Sequence, residues 1–170
     1  MSFRENVAAT TQTIDGISMV AHSIYACVQG GSDDDVAKAI YDAKTAGANY
    51  NGAESVVVID AFSGQAQTVK FDRPVQIPIL VRVTVRPTSL DVQNLVRDAI
   101  MDYVNGDLEG GMGLTVGVYV YPFEFSGACN QVEPSVVVTN VELSTDGSTW
   151  SSTPMVVALD EVATLQRSSI

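Results

Sequence analysis

The stretch from Ile77 to Gly106 constrains the fold more than any other part of the chain. Its first half carries branched apolar residues at every second position, namely Ile77, Ile79, Val81, Val83 and Val85. This alternation is typical of a half-buried strand. Its second half, Leu90 to Asn105, gathers its apolar side chains on one helical face. Pro87 ends the strand, Thr88 or Ser89 can cap the helix, and an Asn-Gly pair ends it. A strand that leads into an amphipathic helix predicts an α+β fold.

A first small α+β unit is predicted upstream, over residues 1–74. The pattern indicates a strand at about Ser23 to Gln29, a helix from Ser32 to about Ala46, and a hairpin made by Ser55 to Phe62 and Gln65 to Phe71. Three aspartates, Asp33 to Asp35, follow Ser32, as expected in a capped first helical turn. The Thr-rich residues 1–13 suit an N-terminal arm or an edge strand.

A second unit is predicted over residues 75–170. After the central helix we expect a strand, a short helix and three further strands; their ranges are Leu114 to Tyr121, Pro122 to Gln131, Ser135 to Leu143, Met155 to Leu159 and Glu161 to Ile170. This order is that of the split βαβ sheet in ferredoxin-like folds. The predicted class is therefore α+β, with two small α/β-sandwich units and a ferredoxin-like sheet in the second.

Charge limits the kinds of partner. The chain of 170 residues has a net charge of −11 and nine basic residues. Such a surface repels phosphate backbones and anionic lipids, so neither nucleic acid nor a membrane is expected as a partner. A basic surface on another protein would attract it.

No catalytic, cofactor or metal constellation is expected. His22 is the sole histidine, and it lacks the paired spacing with Cys27 and Cys129 that zinc modules show. Both cysteines stand in apolar surroundings and are predicted to be buried free thiols. Gly30-Gly31-Ser32 lacks the lysine of a phosphate-binding loop and is predicted to be a structural turn.

Four aromatic residues are the candidate interface residues: Trp150, Tyr119, Tyr121 and Phe123. Trp150 follows an Asp-Gly turn, so it either packs on its own sheet or is offered to a partner. The other three alternate along the chain and continue to Phe125. Such a row either packs in a core or forms an interface or an inter-domain seam.

The order of several segments resembles the baseplate J-like family of tailed phages. These segments are Val28 to Ile40, the loop from Gly47 to Gly52, Val69 to Pro74, Val81 to Val85, the Gly110-Gly111 loop and Val157 to Leu165. The resemblance covers roughly residues 14–170, and it lies in the order of the segments.

The resemblance implies a structural wedge component of the virion tail baseplate, assembled in the host cytoplasm. It implies contact with other wedge and hub proteins, in a six-fold or dimer-based oligomer, and no catalytic residues or cofactor. Family members are usually longer at the N-terminus, so this chain is expected to match the C-terminal part or a shortened relative. Two alternatives stay open: a small soluble enzyme subunit using acids in a cleft between the units, or a ligand-binding regulatory module with its ligand at the Gly110–Gly113 loop.

Overall fold

The computed structural model describes residues 1–44, 47–88 and 91–170. Within these ranges it has three α-helices and eleven short strands, so the α+β class is confirmed. The chain divides into two compact units, residues 1–75 with 158–161, and residues 76–157 with 162–170. The sequence places the boundary one residue earlier and assigns residues 158–161 to the second unit.

The first unit consists of three small sheets and one helix. Its elements are β1 (Ser2–Asn6), β2 (Gln12–Ile14), β3 (Ile17–Met19), β4 (Ser23–Cys27), α1 (Asp33–Ala43), β5 (Asn49–Asn51), β6 (Glu54–Ile59) and β7 (Ala66–Phe71). Strand β4 lies between β1, which is antiparallel to it, and β5, which is parallel. The pairs β2–β3 and β6–β7 are antiparallel hairpins. Of the two alternatives for residues 1–13, an arm or an edge strand, the structure has an edge strand at β1, where all five residues pair with β4.

Helix α1 starts where the sequence predicts. The Ser32 hydroxyl accepts a hydrogen bond from the Asp35 N–H at 3.2 Å, and three aspartates occupy the first turn near the positive end of the helix. Val36 is buried with Val69 and Phe71 of β7, so the helix packs on the β6–β7 hairpin. The helix ends at Ala43. Its predicted end, Ala46, lies outside the described residues.

The remaining elements are β8 (Val75–Pro78), β9 (Leu80–Val85), α2 (Val92–Asn105), α3 (Pro122–Val132), β10 (Val138–Ser144), β11 (Glu161–Thr164) and a 3₁₀ turn (Arg167–Ser169). Antiparallel β9 and β10 form one two-stranded sheet, and β8 and β11 form another. Both helices contribute to the buried core under β9 and β10, which includes Val81, Ile100, Phe125 and Leu143. The predicted caps for α2 were Thr88 and Ser89. Ser89 lies outside the described residues, and the helix follows Asp91, whose side chain makes no capping hydrogen bond.

The ferredoxin-like sheet is not formed by the described residues, which give two separate pairs of strands instead. The predicted strand Leu114 to Tyr121 is a turn and an irregular segment, in which Gly117 has a φ of +71°. Val120 makes a single bridge to Met155, so the predicted strand Met155 to Leu159 is also wrong. In the ranges that the structure covers, no helix combines the length and apolar character needed to cross a bilayer.

Candidate protein–protein interface

Three of the four candidate residues form one cluster on the second unit, which we call the aromatic row: Tyr119, Tyr121 and Phe123. The ring centroids of the first two lie 6.5 Å apart, and those of the last two lie 5.5 Å apart. Tyr119 is 46% exposed and Phe123 is 69% exposed. Phe125, the next aromatic in the alternation, is buried. The structure therefore divides the series between surface and core.

Buried anchors hold the aromatic row on both sides. Val120 is buried, and its N–H and C=O both bond to the backbone of Met155, at 3.0 and 2.9 Å. Pro122 opens α3 and is buried at its first turn, where the missing N–H costs no helical bond. Phe125 packs edge-on against the ring of Tyr103, with centroids 5.3 Å apart. The backbone that carries the row is thus fixed by the core.

A concave site opens beside the start of the row, and we call it the glycine-loop pocket. It encloses about 140 Å³ and is lined by Tyr103, the Gly110–Gly113 loop, Leu114, Thr115, Val118, Tyr119 and Glu124. The Tyr103 hydroxyl donates a hydrogen bond to Oε2 of Glu124. Burial, and then this bond to a carboxylate, raise the pKa of Tyr103 above its usual range.

A shallow groove of about 230 Å³ lies at the other end of the row. Pro122, Phe123 and Ser126 of the α3 segment line one side, and residues 138–141 of β10 line another. The aromatic row is therefore flanked by two concavities of the same unit, as expected of a surface that receives a partner's side chains.

Trp150 lies on a different face. Its ring centroid is 4.4 Å from the guanidinium carbon of Arg82, and its indole N–H donates to the Gly147 carbonyl at 3.2 Å. Arg82 alternates with the core residue Val81 along β9, so the ring packs on the face of the sheet away from the helices. Trp150 thus packs on its own sheet and stays partly exposed. Its contact with a partner stays a prediction.

His22, Cys27 and Cys129 are the residues that the sequence offers as zinc ligands. Among the described residues, no group of three or more His, Cys, Asp or Glu side chains is placed to hold a metal ion. Cys27 and Cys129 are buried free thiols, as predicted. Burial is the main reason why the pKa of each thiol rises to about 11. The backbone N–H of His22 donates to the Ala8 carbonyl at 3.1 Å, which ties this residue to a loop.

Two apolar surfaces of the first unit were missed by sequence reasoning. Val57 and Ile59 project from the outer face of the β6–β7 hairpin, and Phe62 at its tip is fully exposed. A groove of about 410 Å³ runs along α1 and is lined by Phe3, Ile24 and other apolar residues. The signal was present in the run of valines in β6, which is apolar on both strand faces, and in Phe3 within an otherwise polar segment.

The fold and this surface define a two-unit α+β protein with a partly exposed aromatic cluster on its second unit. No protein-family model and no curated protein matches the chain.

Proposed function

We propose that the chain is a structural component of a tailed-phage baseplate, of the baseplate J-like kind, and that it acts by protein–protein assembly around the tail hub. The order of sequence segments described above supports the choice of family. The observation that carries the assembly role is the aromatic row, with Phe123 69% exposed on a backbone fixed by buried neighbours.

Aromatic side chains on a fixed backbone suit a contact surface. They bury a large area, and rigid rings lose little conformational entropy when they bind. An exposed aromatic cluster flanked by concavities also matches the anchors that dominate binding energy in protein interfaces. In this proposal the row contacts another wedge or hub protein in an oligomeric particle within the virion, and the chain needs no cofactor and catalyses no reaction.

The regulatory-module alternative has one specific observation in its favour, the glycine-loop pocket at residues 110–113. Its volume of about 140 Å³ is below the ~300–1,000 Å³ typical of small-molecule sites. The size therefore favours a single side chain over a cofactor or a metabolite.

The particle itself provides the first test. Virions or tail-like particles made by the organism that encodes the chain are purified, and their proteins are identified by mass spectrometry. We expect the chain in stoichiometric amounts with other tail proteins. Its absence from intact particles would overturn the baseplate assignment.

The second test asks whether the row is the contact. The double variant Tyr119→Ser, Phe123→Ser removes two exposed rings, while Phe62→Ser removes a fully exposed ring from the other unit as a matched control. We expect the double variant to weaken co-assembly with tail proteins at least ~10-fold, with thermal stability unchanged. Equal assembly of the double variant and the wild type would remove the row from the interface.

A further inference from the structure

The glycine-loop pocket contains a carboxylate with no basic partner in the chain that the structure describes. Over all the described residues, the ion pairs are Arg4–Asp15, Lys38–Asp42, Arg73–Asp33, Arg82–Glu142 and Arg167–Asp98. None involves Glu124, which is only partly exposed and bonds through Oε2 to the Tyr103 hydroxyl. A neutral hydroxyl satisfies one oxygen, and the positive end of α3, whose first turn carries Glu124, offsets the negative charge only in part. A partly buried charge of this kind favours a cation beside it.

The walls of the pocket suit both the methylene stem and the charged end of a basic side chain. Leu114 and Val118 supply apolar lining, and Tyr119 contributes an aromatic ring. Such a ring attracts a cation placed over its face, and apolar walls accommodate the methylene stem of a long basic side chain.

Volume limits the occupant to a single group. About 140 Å³ is several times the ~30 Å³ that one water occupies in the liquid, so a side-chain end fits. A hydrated divalent cation would need several oxygen ligands, and among the described residues Glu124 is the one carboxylate that lines this pocket.

The carboxylate also distinguishes lysine from arginine. The fork of an arginine binds best when both carboxylate oxygens are available to it. Here Oε2 already accepts one hydrogen bond, from the Tyr103 hydroxyl, so one of the two oxygens that an arginine fork would use is partly occupied, and Oε1 is the more available one. A point charge on a flexible stem fits this arrangement better than a planar fork.

We propose that the glycine-loop pocket receives the ammonium group of a lysine side chain on the partner protein, with Glu124 as its counter-charge and Tyr119 as its aromatic wall. This inference rests on the proposed function, because it names what the partner presents next to the aromatic row. It gives the partner surface a stated chemistry: a lysine at the edge of an apolar patch that covers the row.

The first test uses the isolated chain and a defined probe. Nα-acetyl-lysine amide is titrated into ¹⁵N-labelled protein, and amide shifts of Tyr119 and of residues 110–113 are followed by NMR. Parallel titrations use the matching arginine and norleucine amides. We expect saturable shifts with the lysine probe, at least ~10-fold weaker binding of norleucine, and arginine between them. Equal binding of lysine and norleucine amides would overturn the counter-charge role.

Two variants of equal charge change sharpen the result. Glu124→Gln keeps an oxygen for the Tyr103 hydroxyl and removes the charge, while Glu109→Gln removes an exposed charge just before the loop. We expect the first to abolish saturable lysine binding and the second to leave it within ~2-fold. Lysine binding that survives Glu124→Gln would refute the proposal.

The outcomes separate this inference from the proposed function. If the chain is found in tail particles but Glu124→Gln co-assembles as well as Glu109→Gln, the lysine site fails and the assembly role stands. If particles lack the chain while the lysine probe still binds through Glu124, the pocket stands and the baseplate role fails.

Discussion

At the scale of single residues, the Arg73 side chain contacts two separate segments of the first unit. Its guanidinium donates to the carbonyls of Val28, Gly30 and Gly31 at 2.9, 2.6 and 2.9 Å, and it pairs with the Asp33 carboxylate. The guanidinium carbon of Arg73 also lies 5.1 Å from the centroid of the Phe71 ring. The side chain thus ties the turn before α1 to the end of β7.

Arg73→Lys tests this role, because lysine keeps the charge and loses the planar fork. Most of the carbonyl contacts cannot be made by one ammonium group, so we expect a loss of about 1–3 kcal/mol in the free energy of unfolding. Urea unfolding followed by circular dichroism measures it. Lys38→Gln breaks the exposed Lys38–Asp42 pair of the same helix and should cost at most ~0.5 kcal/mol. Equal effects of the two variants would contradict the central role of Arg73.

The two buried thiols should make the folded protein less stable at high pH. Burial is the main reason that the pKa of Cys27 and that of Cys129 rise from about 9 to about 11. The unfolded chain therefore loses these protons first, so their contribution to stability is complete below pH ~9 and is lost as the pH rises toward 11. We expect the urea midpoint to fall between pH 8 and pH 10.5. The variant Cys129→Ala should show a smaller fall, and a midpoint constant over this range would contradict the assignment.

At the scale of elements, the loop after α2 depends on a glycine that cannot carry a side chain. Gly113 has a φ of +66°, and a Cβ there would lie 2.6 Å from the Val104 carbonyl oxygen. Gly110 has a similar φ of +76°, but a Cβ there would meet nothing within 4 Å. A side chain at Gly110 would therefore meet backbone strain alone, and a side chain at Gly113 would meet the same strain together with a steric clash.

The pair Gly113→Ala and Gly110→Ala uses this difference. The left-handed conformation alone costs roughly 1–2 kcal/mol for alanine, and Gly113→Ala adds a clash with the last turn of the helix. We expect Gly110→Ala to lower the free energy of unfolding by about that amount and Gly113→Ala by at least ~1 kcal/mol more. Thermal unfolding of the two variants side by side measures the difference. Equal losses would mean that the loop shifts freely away from α2.

The elements that the sequence predicted well carry local signals. Helices α1 and α3 carry a local start signal, Ser32 before the first and Pro122 at the first position of the second, and α2 has an apolar face and ends at Gly106. The strand predictions failed where the strand depends on pairing with another strand that is distant in sequence. The alternation from Leu114 to Val120 is real, but Gly117 at φ +71° turns the chain before a ladder can form. Pro78, the last residue of β8, lacks an N–H, and Ile79 separates β8 from β9, so one predicted strand serves two sheets.

The candidate site was predictable in the same limited way. Residue type pointed to Tyr119, Tyr121, Phe123 and Trp150, because aromatic residues after turns stand out in any sequence. Which of them cluster depends on α3 and on the bridge between Val120 and Met155. The bridge joins residues more than thirty positions apart, and no local pattern encodes it.

At the scale of the whole molecule, the chain leaves one unit and returns to it. The N–H of Val75 donates to the Asp160 carbonyl at 2.9 Å, and the hydroxyl of Ser2 donates to the Leu159 carbonyl at 2.6 Å. These bonds place residues 158–161 in the first unit. The sequence assigned them to the second unit because they follow its strands directly. A cut between residues 75 and 76 would therefore remove a segment that the first unit uses.

The charge of the whole molecule determines how it should meet a partner. A net charge of −11 attracts a basic surface over a distance that salt shortens, from ~30 Å at 0.01 M ionic strength to ~3 Å at 1 M. If the partner surface has a lysine beside an apolar patch, electrostatic attraction raises the association rate, while contacts of the aromatic row lower the dissociation rate. We expect the association rate with the proposed tail partner to fall at least ~10-fold between ~20 mM and ~500 mM salt, with a smaller change in the dissociation rate.

Stopped-flow or biosensor kinetics measure both rates, and charge reversal locates the effect. Glu109→Lys changes an exposed acid next to the glycine-loop pocket, and Asp34→Lys changes an exposed acid on α1 of the other unit, so the two variants have the same net charge. If the docking face is the aromatic row, Glu109→Lys should slow association more than Asp34→Lys, because Glu109 directly precedes the Gly110–Gly113 loop of the pocket and Asp34 belongs to neither the pocket nor the row. An association rate that does not change with salt concentration would contradict the proposal of a basic partner surface. Equal slowing by the two charge reversals would mean that the aromatic row is not the docking face.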